Sequence, residues 1–384
     1  MTQDSNDFEP VVYNNSLLEK ITTKEQKTLR EVLRHLILRP DGFTAHDARE
    51  GLASIMEGEA TEAQQGAFLT ALKIRGVDRY PEMITGLVQE MLTKTIKPDV
   101  KVQGGSITFS DIVGTGGDGW STFNVSTTAS IVAAGAGLII GKHGSRASSS
   151  NCGSADILEK YGCNLEAITP DSLDQIYSNC NFCFLFAKTF HPSMKYLAKA
   201  RYEIGFPTPF NILGPLTNPL PTSSAIIGVH STYLGRVIAE VLVCLGKTNH
   251  WVVCGKCQID EISIDGPTDV WKVNEKGQIE HVVMTPEDYG LKSYPLDLAF
   301  SQSLEQNIET LNRLLDGKQE TEKDRAIRSF VLINAASLIY VSKKASSLKE
   351  AVKIAEESID SGNARAQLDA FAKATNELKH NVTA

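Results

Sequence analysis

Nine residues, Asp111-Ile-Val-Gly-Thr-Gly-Gly-Asp-Gly119, set glycines at 114, 116, 117 and 119 between a β-rich stretch and a helix-forming one. Glycine has no Cβ, so backbone N–H groups in such a loop can approach phosphate oxygens closely. A helix beginning just afterwards adds a favourable dipole. The spacing of Gly114, Gly116 and Gly119 also fits a dinucleotide fingerprint, which needs an acidic residue about 20 positions on to hold a ribose diol. That region reads Gly141-Lys142-His143 and is basic, so the fingerprint fails. A Walker A loop fails as well, because Ala136 stands where its first glycine belongs and His143 replaces the Ser/Thr. A tight turn without a ligand is the competing reading. The glycine density and the bare Asp118 favour an anion-binding loop.

Four further segments carry polar groups of the right kind. Asn124-Val-Ser-Thr127 follows the glycine loop and can cap a helix, with hydroxyls also free to face a phosphate or a metal. Lys142 to Asp156 begins at the end of a strand, where open α/β sheets bind ligands, and offers Lys142, His143 and Arg146 with many hydroxyls. His191 and Arg201 flank a helical stretch, and Arg201 could fork onto a planar carboxylate, although a lone Arg is often a surface charge. Asp260-Glu261 lies in a loop after a strand, and adjacent carboxylates suit Mg²⁺, which prefers oxygen ligands and a shared substrate phosphate.

The elements that must position these groups can be read from periodicity. Leu29, Val32, Leu33, Leu36 and Ile37 repeat at helical spacing and predict one apolar stripe. Thr44 with Asp47, and Thr61 with Gln64, read as capping boxes, and Pro81 suits the first turn of a helix running to about Thr93. Residues 24–103 therefore read as an all-helical unit, and 1–22 as a loosely held extension. From Ile107–Val113 the period becomes strand-like, then alternates: a helix over Thr127–Ala136, strands at 138–141 and 182–187, a strand at 225–229, a helix over 232–245 and a strand at 250–254. Helices return over 302–379. The fold class is α/β: a small all-helical domain plus a large α/β domain with a central, mostly parallel sheet. The α/β domain is expected over 104–188 and 216–384.

A net charge of −8 argues against a general nucleic-acid binder. The longest apolar stretch, Ala129–Gly141, is too short to span a bilayer, and the acidic start does not read as a secretory signal. Seven scattered cysteines fit a reduced, cytoplasmic setting. Cys180-x-x-Cys183 and Cys254-x-x-Cys257 have zinc-like spacing, but Cys183 and Cys254 fall in buried-strand patterns where free cysteine acts as a small hydrophobe.

In order along the chain, Gly114-Thr-Gly-Gly-Asp118, Phe123-Asn-Val-Ser-Thr127, Lys142-His-Gly144, Gly153-Ser-Ala-Asp156, His191-Pro192, Arg201-Tyr-Glu-Ile-Gly205, Phe210 through the Leu-Gly-Pro-Leu block to Pro219, and Asp260-Glu261 resemble the anthranilate phosphoribosyltransferase family. Ile55–Thr61 is similar to the family's N-terminal signature, and the resemblance spans roughly 28–370. It implies a nucleoside phosphorylase/phosphoribosyltransferase type of fold whose helical domain is completed by helices near 190–215. It also implies a homodimer formed through those helices, and the reaction of anthranilate with phosphoribosyl pyrophosphate in tryptophan biosynthesis. By the resemblance, Gly114, Thr115, Gly116, Gly117, Asp118, Asn124, Ser126, Thr127 and Lys142 hold phosphoribosyl pyrophosphate. Gly114, His143, Ser145, His191 and Arg201 line the anthranilate path, with Arg201 as carboxylate partner. Ser126, Asp260 and Glu261 hold Mg²⁺. Ser145 departs from the Asn that many members carry there, and it keeps a hydroxyl for the contact. No residue is assigned as a general base, because the arylamine is neutral and loses its proton only as the bond forms.

A pyrimidine nucleoside phosphorylase would share the fold but carry K-H-S where this chain has Lys142-His143-Gly144. A non-catalytic nucleic-acid-binding relative would show a basic surface and eroded metal ligands.

Overall fold

Threonines open three of the first four helices. In the computed structural model, which describes residues 27–101, 108–147 and 152–378, these are α1 (Leu29–Leu38), α2 (Ala45–Met56), α3 (Glu62–Ile74) and α4 (Pro81–Thr93). Thr28, Thr44 and Thr61 each accept from the backbone of the third helical residue, whose own side chain answers back, and Pro81 takes the first turn of α4. Each such cap is worth about 1 kcal/mol. The expected apolar stripe of α1 is narrower than its sequence spacing suggests. Leu29, Val32 and Leu36 are buried, whereas Ile37 is 52% exposed. The expected extension over 1–22 lies outside the described residues.

The chain then runs β1 (Phe109–Gly114), α5 (Val125–Gly135), β2 (Ile139–Gly144), α6 (Ser154–Tyr161), α7 (Leu173–Tyr177), β3 (Phe182–Phe186), α8 (Ala187–Phe190) and α9 (Lys195–Ile204). It continues through β4 (Thr222–Gly228), α10 (Thr232–Cys244), β5 (His250–Gly255), β6 (Thr268–Val273) and β7 (Ile279–Met284), and closes with α11 (Leu304–Leu315), α12 (Glu322–Val341), α13 (Leu348–Asp360) and α14 (Asn363–Glu377). The sheet order is β3-β2-β1-β4-β5-β6-β7. The first five strands are parallel, and β6 and β7 extend the edge as an antiparallel hairpin that the sequence reading did not anticipate.

Successive residues of β4 face opposite sides of the sheet. Ile226 joins the core built with α5 and α12–α14, while Ala225 and Ile227 join the core shared with α10 and the N-terminal helices. Helix α5 is buried from Thr127 to Ala134, which its Ala-rich sequence permits. Helix α4 packs on α10, and α9 packs on α2 and α3.

Strand order reverses at β1. The chain moves outward through β2 and β3, then returns to lay β4 on the other side of β1. A parallel sheet opens a crevice at the carboxyl ends of the strands flanking such a switch. The glycine loop leaves β1 at that point.

The two Cys-x-x-Cys pairs do not meet. One pair spans the start of β3 and the other the end of β5, with β2, β1 and β4 between them, and all four are free thiols.

Candidate active site

Gly114 ends β1 and is the register partner of Gly228, which ends β4. Both face Asp260: a Cβ on Gly114 would stand 2.2 Å from Asp260 Oδ2, and one on Gly228 would stand 1.5 Å from the Asp260 carbonyl oxygen. The acidic loop after β5 is thus seated on two bare backbones. Gly116, Gly117 and Gly119 adopt φ of 67°, 80° and 78°, a region that side-chain-bearing residues rarely enter. The Gly116 N–H donates to Asp260 Oδ2 at 2.7 Å, which ties the glycine loop to the acidic loop. Asp118 accepts from the Trp120 N–H at 3.1 Å and lies close enough to Asp260 to share a hydrogen bond.

Asn124 caps α5, its Oδ1 accepting from the Thr127 N–H at 3.3 Å, and its own N–H donates to Asn307. The cap brings Ser126 to the crevice. The Ser126 N–H donates to the Glu261 carboxyl, and Lys142 Nζ reaches Ser126 Oγ at 3.4 Å. Lys142 is 1% exposed, with Nζ donating to Ile112 O at 2.6 Å. Burial lowers its pKa, and the charges of Asp111 and Glu261 oppose that shift. Burial raises the Asp260 and Glu261 carboxyls, and the neighbouring negative charges of the acid group add to the rise. Glu261 Oε2 and Thr127 Oγ1 are buried without a hydrogen-bond partner among the described residues. The structure therefore gathers Gly114, Gly116, Asp118, Asn124, Ser126, Thr127, Lys142, Asp260 and Glu261 at one end of the sheet.

His143 and His191 form a second group. His143 Nδ1 lies 3.1 Å from Gly214 O, an atom that can only accept, so the proton sits on Nδ1. Its Nε2 then accepts from His191 Nε2–H at 3.1 Å. The Thr95 hydroxyl lies 3.1 Å from His191 Nδ1 and 2.7 Å from Met91 O, and its single proton goes to one of these two acceptors. Burial pushes His143 down to about 3 and His191 down to about 4, so both imidazoles are neutral at pH 7. The pair links the end of α4 to β2. It also ties in Asp111, which accepts from the His143 N–H at 3.3 Å and from Asn218 Nδ2 at 2.8 Å.

Arg201 sits half-buried on α9, its guanidinium with no ion pair or hydrogen bond among the described residues, and burial lowers its pKa. Ser145 is exposed and donates to Arg146 O at 3.1 Å. Among the described residues, neither side chain is hydrogen-bonded or ion-paired to the two groups above. The basic block is smaller than expected. Arg146 turns outward over the Phe186 ring and pairs with Glu159 at 2.7 Å and Glu166 at 3.2 Å, so its charge is satisfied away from the glycine loop. Residues 148–151 of that expected loop lie outside the described residues.

His230, two residues past β4, was missed. Its Nδ1 lies 3.0 Å from Gly116 O and 3.4 Å from Thr115 Oγ1. The only signal for it is its place beside β1, where the strand order reverses.

Residues 106–365 match the family described as glycosyl transferase family, a/b domain, and residues 30–95 match its helical bundle domain. The chain is 43% identical over 320 residues to the anthranilate phosphoribosyltransferase of Schizosaccharomyces pombe, covering 83% of this chain and 89% of that one. It superposes with a TM-score of 0.83 on the Saccharomyces cerevisiae enzyme in complex with PRPP and Mg, at 32% identity over 91% of this chain and 98% of that chain. The same yeast enzyme in complex with 4-fluoroanthranilate gives a TM-score of 0.82 at 30% identity, with the same coverage of both chains.

Proposed function

The chain belongs to the anthranilate phosphoribosyltransferase family, and from that premise we propose how its own residues carry out the reaction. The 5-phosphoribosyl group passes from phosphoribosyl pyrophosphate to the amine of anthranilate, giving N-(5-phosphoribosyl)anthranilate and pyrophosphate, in tryptophan biosynthesis. The observation that carries the reading is the seating of the Asp260-Glu261 loop against the glycine loop, sealed by the Gly116 N–H to Asp260 bond at 2.7 Å.

The loop Gly114 to Asp118, whose Gly117 N–H has no partner among the described residues, and the Asn124, Ser126 and Thr127 end of α5 hold the pyrophosphate and sugar phosphate. Preorganised donors of this kind stabilise charge as it develops on the leaving group. Lys142, already buried beside Ser126 and Glu261, supplies a fixed positive charge whose desolvation is met by the folding of the chain. The donor set also fits Mg²⁺. Among the described residues no three His, Cys, Asp or Glu side chains form a complete cluster. Two carboxylates, one hydroxyl and an unpartnered Glu261 Oε2 instead leave room for substrate oxygens, which is how this cation is usually held. Ser126, Asp260 and Glu261 would hold it, and Mg²⁺ bound there would offset the charge of the departing pyrophosphate as a Lewis acid.

Neutral His143 and His191, with Gly114 and Ser145, line the anthranilate path, and Arg201 is the carboxylate partner. Anthranilate's amine attacks the ribose C1 as the C1–O bond to pyrophosphate breaks. The amine proton leaves after the C–N bond begins to form, so positioning matters more than a strong base. Two domains follow from this reading: a helical one over 24–103 completed near 190–215, and the α/β one over 104–188 and 216–384. A homodimer through the helical domains is supported by Leu38 at 67% and Ile74 at 78% exposure, on neighbouring helix ends joined where Arg75 donates to Ile37 O. Among the described residues no helix is long and apolar enough to cross a membrane.

Turnover measured against Mg²⁺ in Asp260→Ala/Glu261→Ala tests the metal assignment. The double variant should lose metal-dependent turnover, and full activity would sink the assignment.

A further inference from the structure

The Gly116–Gly117 peptide has its two ends treated differently. Its carbonyl, on Gly116, is held by His230 Nδ1 at 3.0 Å. Because a carbonyl oxygen only accepts, that ring nitrogen carries the proton and donates. Its N–H, on Gly117, has no hydrogen-bond partner among the described residues. In a trans peptide the C=O and N–H point in opposite directions. Holding the carbonyl toward His230 therefore aims the Gly117 N–H away from it.

Both residues flanking this peptide plane are glycines at positive φ, 67° and 80°. Without a Cβ on either side, rotation of the plane meets little steric resistance. A rotation by half a turn would replace a donor by a carbonyl oxygen, which repels a phosphate. The preceding peptide is fixed already, since the Gly116 N–H donates to Asp260 and the Thr115 N–H donates to Gly228 O at 2.9 Å. The next one is held at its carbonyl by the shorter His230 Nδ1 bond at 3.0 Å, with the Thr115 hydroxyl donating to the same oxygen at 3.3 Å from within the loop.

We propose that His230 is a positioning residue for pyrophosphate binding: its Nδ1–H locks the Gly116–Gly117 peptide with the Gly117 N–H presented to the phosphate oxygens. His230 reaches the loop because it follows β4, the strand on the far side of the reversal in strand order. It contacts Gly116 and Thr115 and acts through them. This inference rests on the glycine loop being the pyrophosphate site.

The test uses the full chain and three variants. Asn places an amide N–H where His has Nδ1–H, Gln places one where His has Nε2, and Ala places none. His230→Ala should raise KM for phosphoribosyl pyrophosphate and the Kd for inorganic pyrophosphate with Mg²⁺ by between about 3-fold and about 10-fold, the range of one lost neutral hydrogen bond. KM for anthranilate should stay unchanged. His230→Asn should recover most of the loss and His230→Gln should not. A merely structural role would lower the thermal midpoint and weaken both substrates together. An unchanged pyrophosphate Kd in His230→Ala, or a His230→Asn variant as impaired as His230→Ala, overturns the proposal. Failure of the unsubstituted chain to bind pyrophosphate would instead overturn the reading of the glycine loop itself.

Discussion

Gly228 lies so close to Asp260 that a Cβ would stand 1.5 Å from the Asp260 carbonyl oxygen. The neighbouring atom is backbone, so no side-chain rotation can make room. Gly228→Ala must push the acidic loop off its seat. Such overpacking costs about 1–3 kcal/mol of stability. A displacement near 1 Å in a positioned site lowers turnover on the order of 100-fold. The expected outcome is a folded enzyme with a modestly lowered thermal midpoint and a much larger loss of kcat/KM for phosphoribosyl pyrophosphate. Equal kcat/KM in the variant would show that the seat does not matter.

The neutral His143–His191 pair makes a prediction about acid. Both imidazoles are held below their ordinary value near 6.5, at about 3 and about 4. Between those limits the unfolded chain binds protons that the folded chain refuses, so stability falls as pH drops from 6.5 toward 4 and is flat above 6.5. The cost approaches ~2 kcal/mol per imidazole at pH 5. His250, also depressed to about 4 by burial, adds a slope of the same sign. Urea unfolding at pH 7.5 and 5.0 should show a smaller acid loss in His191→Gln than in the unsubstituted chain. Identical losses would refute the assignment.

Arg201 carries the third prediction. It is half-buried and, among the described residues, unpaired, which is costly for a guanidinium unless a ligand supplies the anion. Arg201→Ala should raise KM for anthranilate at least about tenfold, the scale of a charge-assisted hydrogen bond, and leave KM for phosphoribosyl pyrophosphate unchanged. Arg201→Lys should recover little, because an ammonium cannot reproduce the planar fork. Equal effects on both substrates in steady-state kinetics would remove Arg201 from the anthranilate path.

Lys142 gives a fourth. Its ammonium is fully enclosed and bonded to Ile112 O and Ser126 Oγ. Lys142→Met keeps the length and apolar stem while deleting the charge. Deleting this charge leaves the buried Asp111 and Glu261 carboxyls without their cation, which destabilises the fold by about 3–5 kcal/mol unless they take up protons. Both the thermal midpoint and pyrophosphate binding should fall, the binding loss persisting at temperatures where the variant is fully folded. Calorimetric titration with pyrophosphate and Mg²⁺ separates the two, and unaltered affinity would count against a phosphate role.

Much of the site was legible because its chemistry constrains backbone. Gly116, Gly117 and Gly119 must be glycine to hold positive φ, and Asn124 must be a capping residue to begin α5 at the loop. Helix starts at Thr44 and Thr61 were legible for the same local reason. Side-chain direction was not. Arg146 stands in a basic run with Lys142 and His143, yet it turns toward Glu159 and Glu166, which a sequence run cannot specify. His230 has no spacing signature, and only the neighbouring positions of β1 and β4 give it meaning. Ile37 continues an apolar period but lies past the narrow seam that α1 buries. The β6–β7 hairpin was overlooked between two stronger patterns, the acidic loop and the C-terminal helices.

The most direct test of the account follows anthranilate fluorescence with the purified chain, phosphoribosyl pyrophosphate and Mg²⁺. The signal should fall only when all three are present, with one pyrophosphate released per anthranilate consumed. A signal that stays constant with all three present would contradict it.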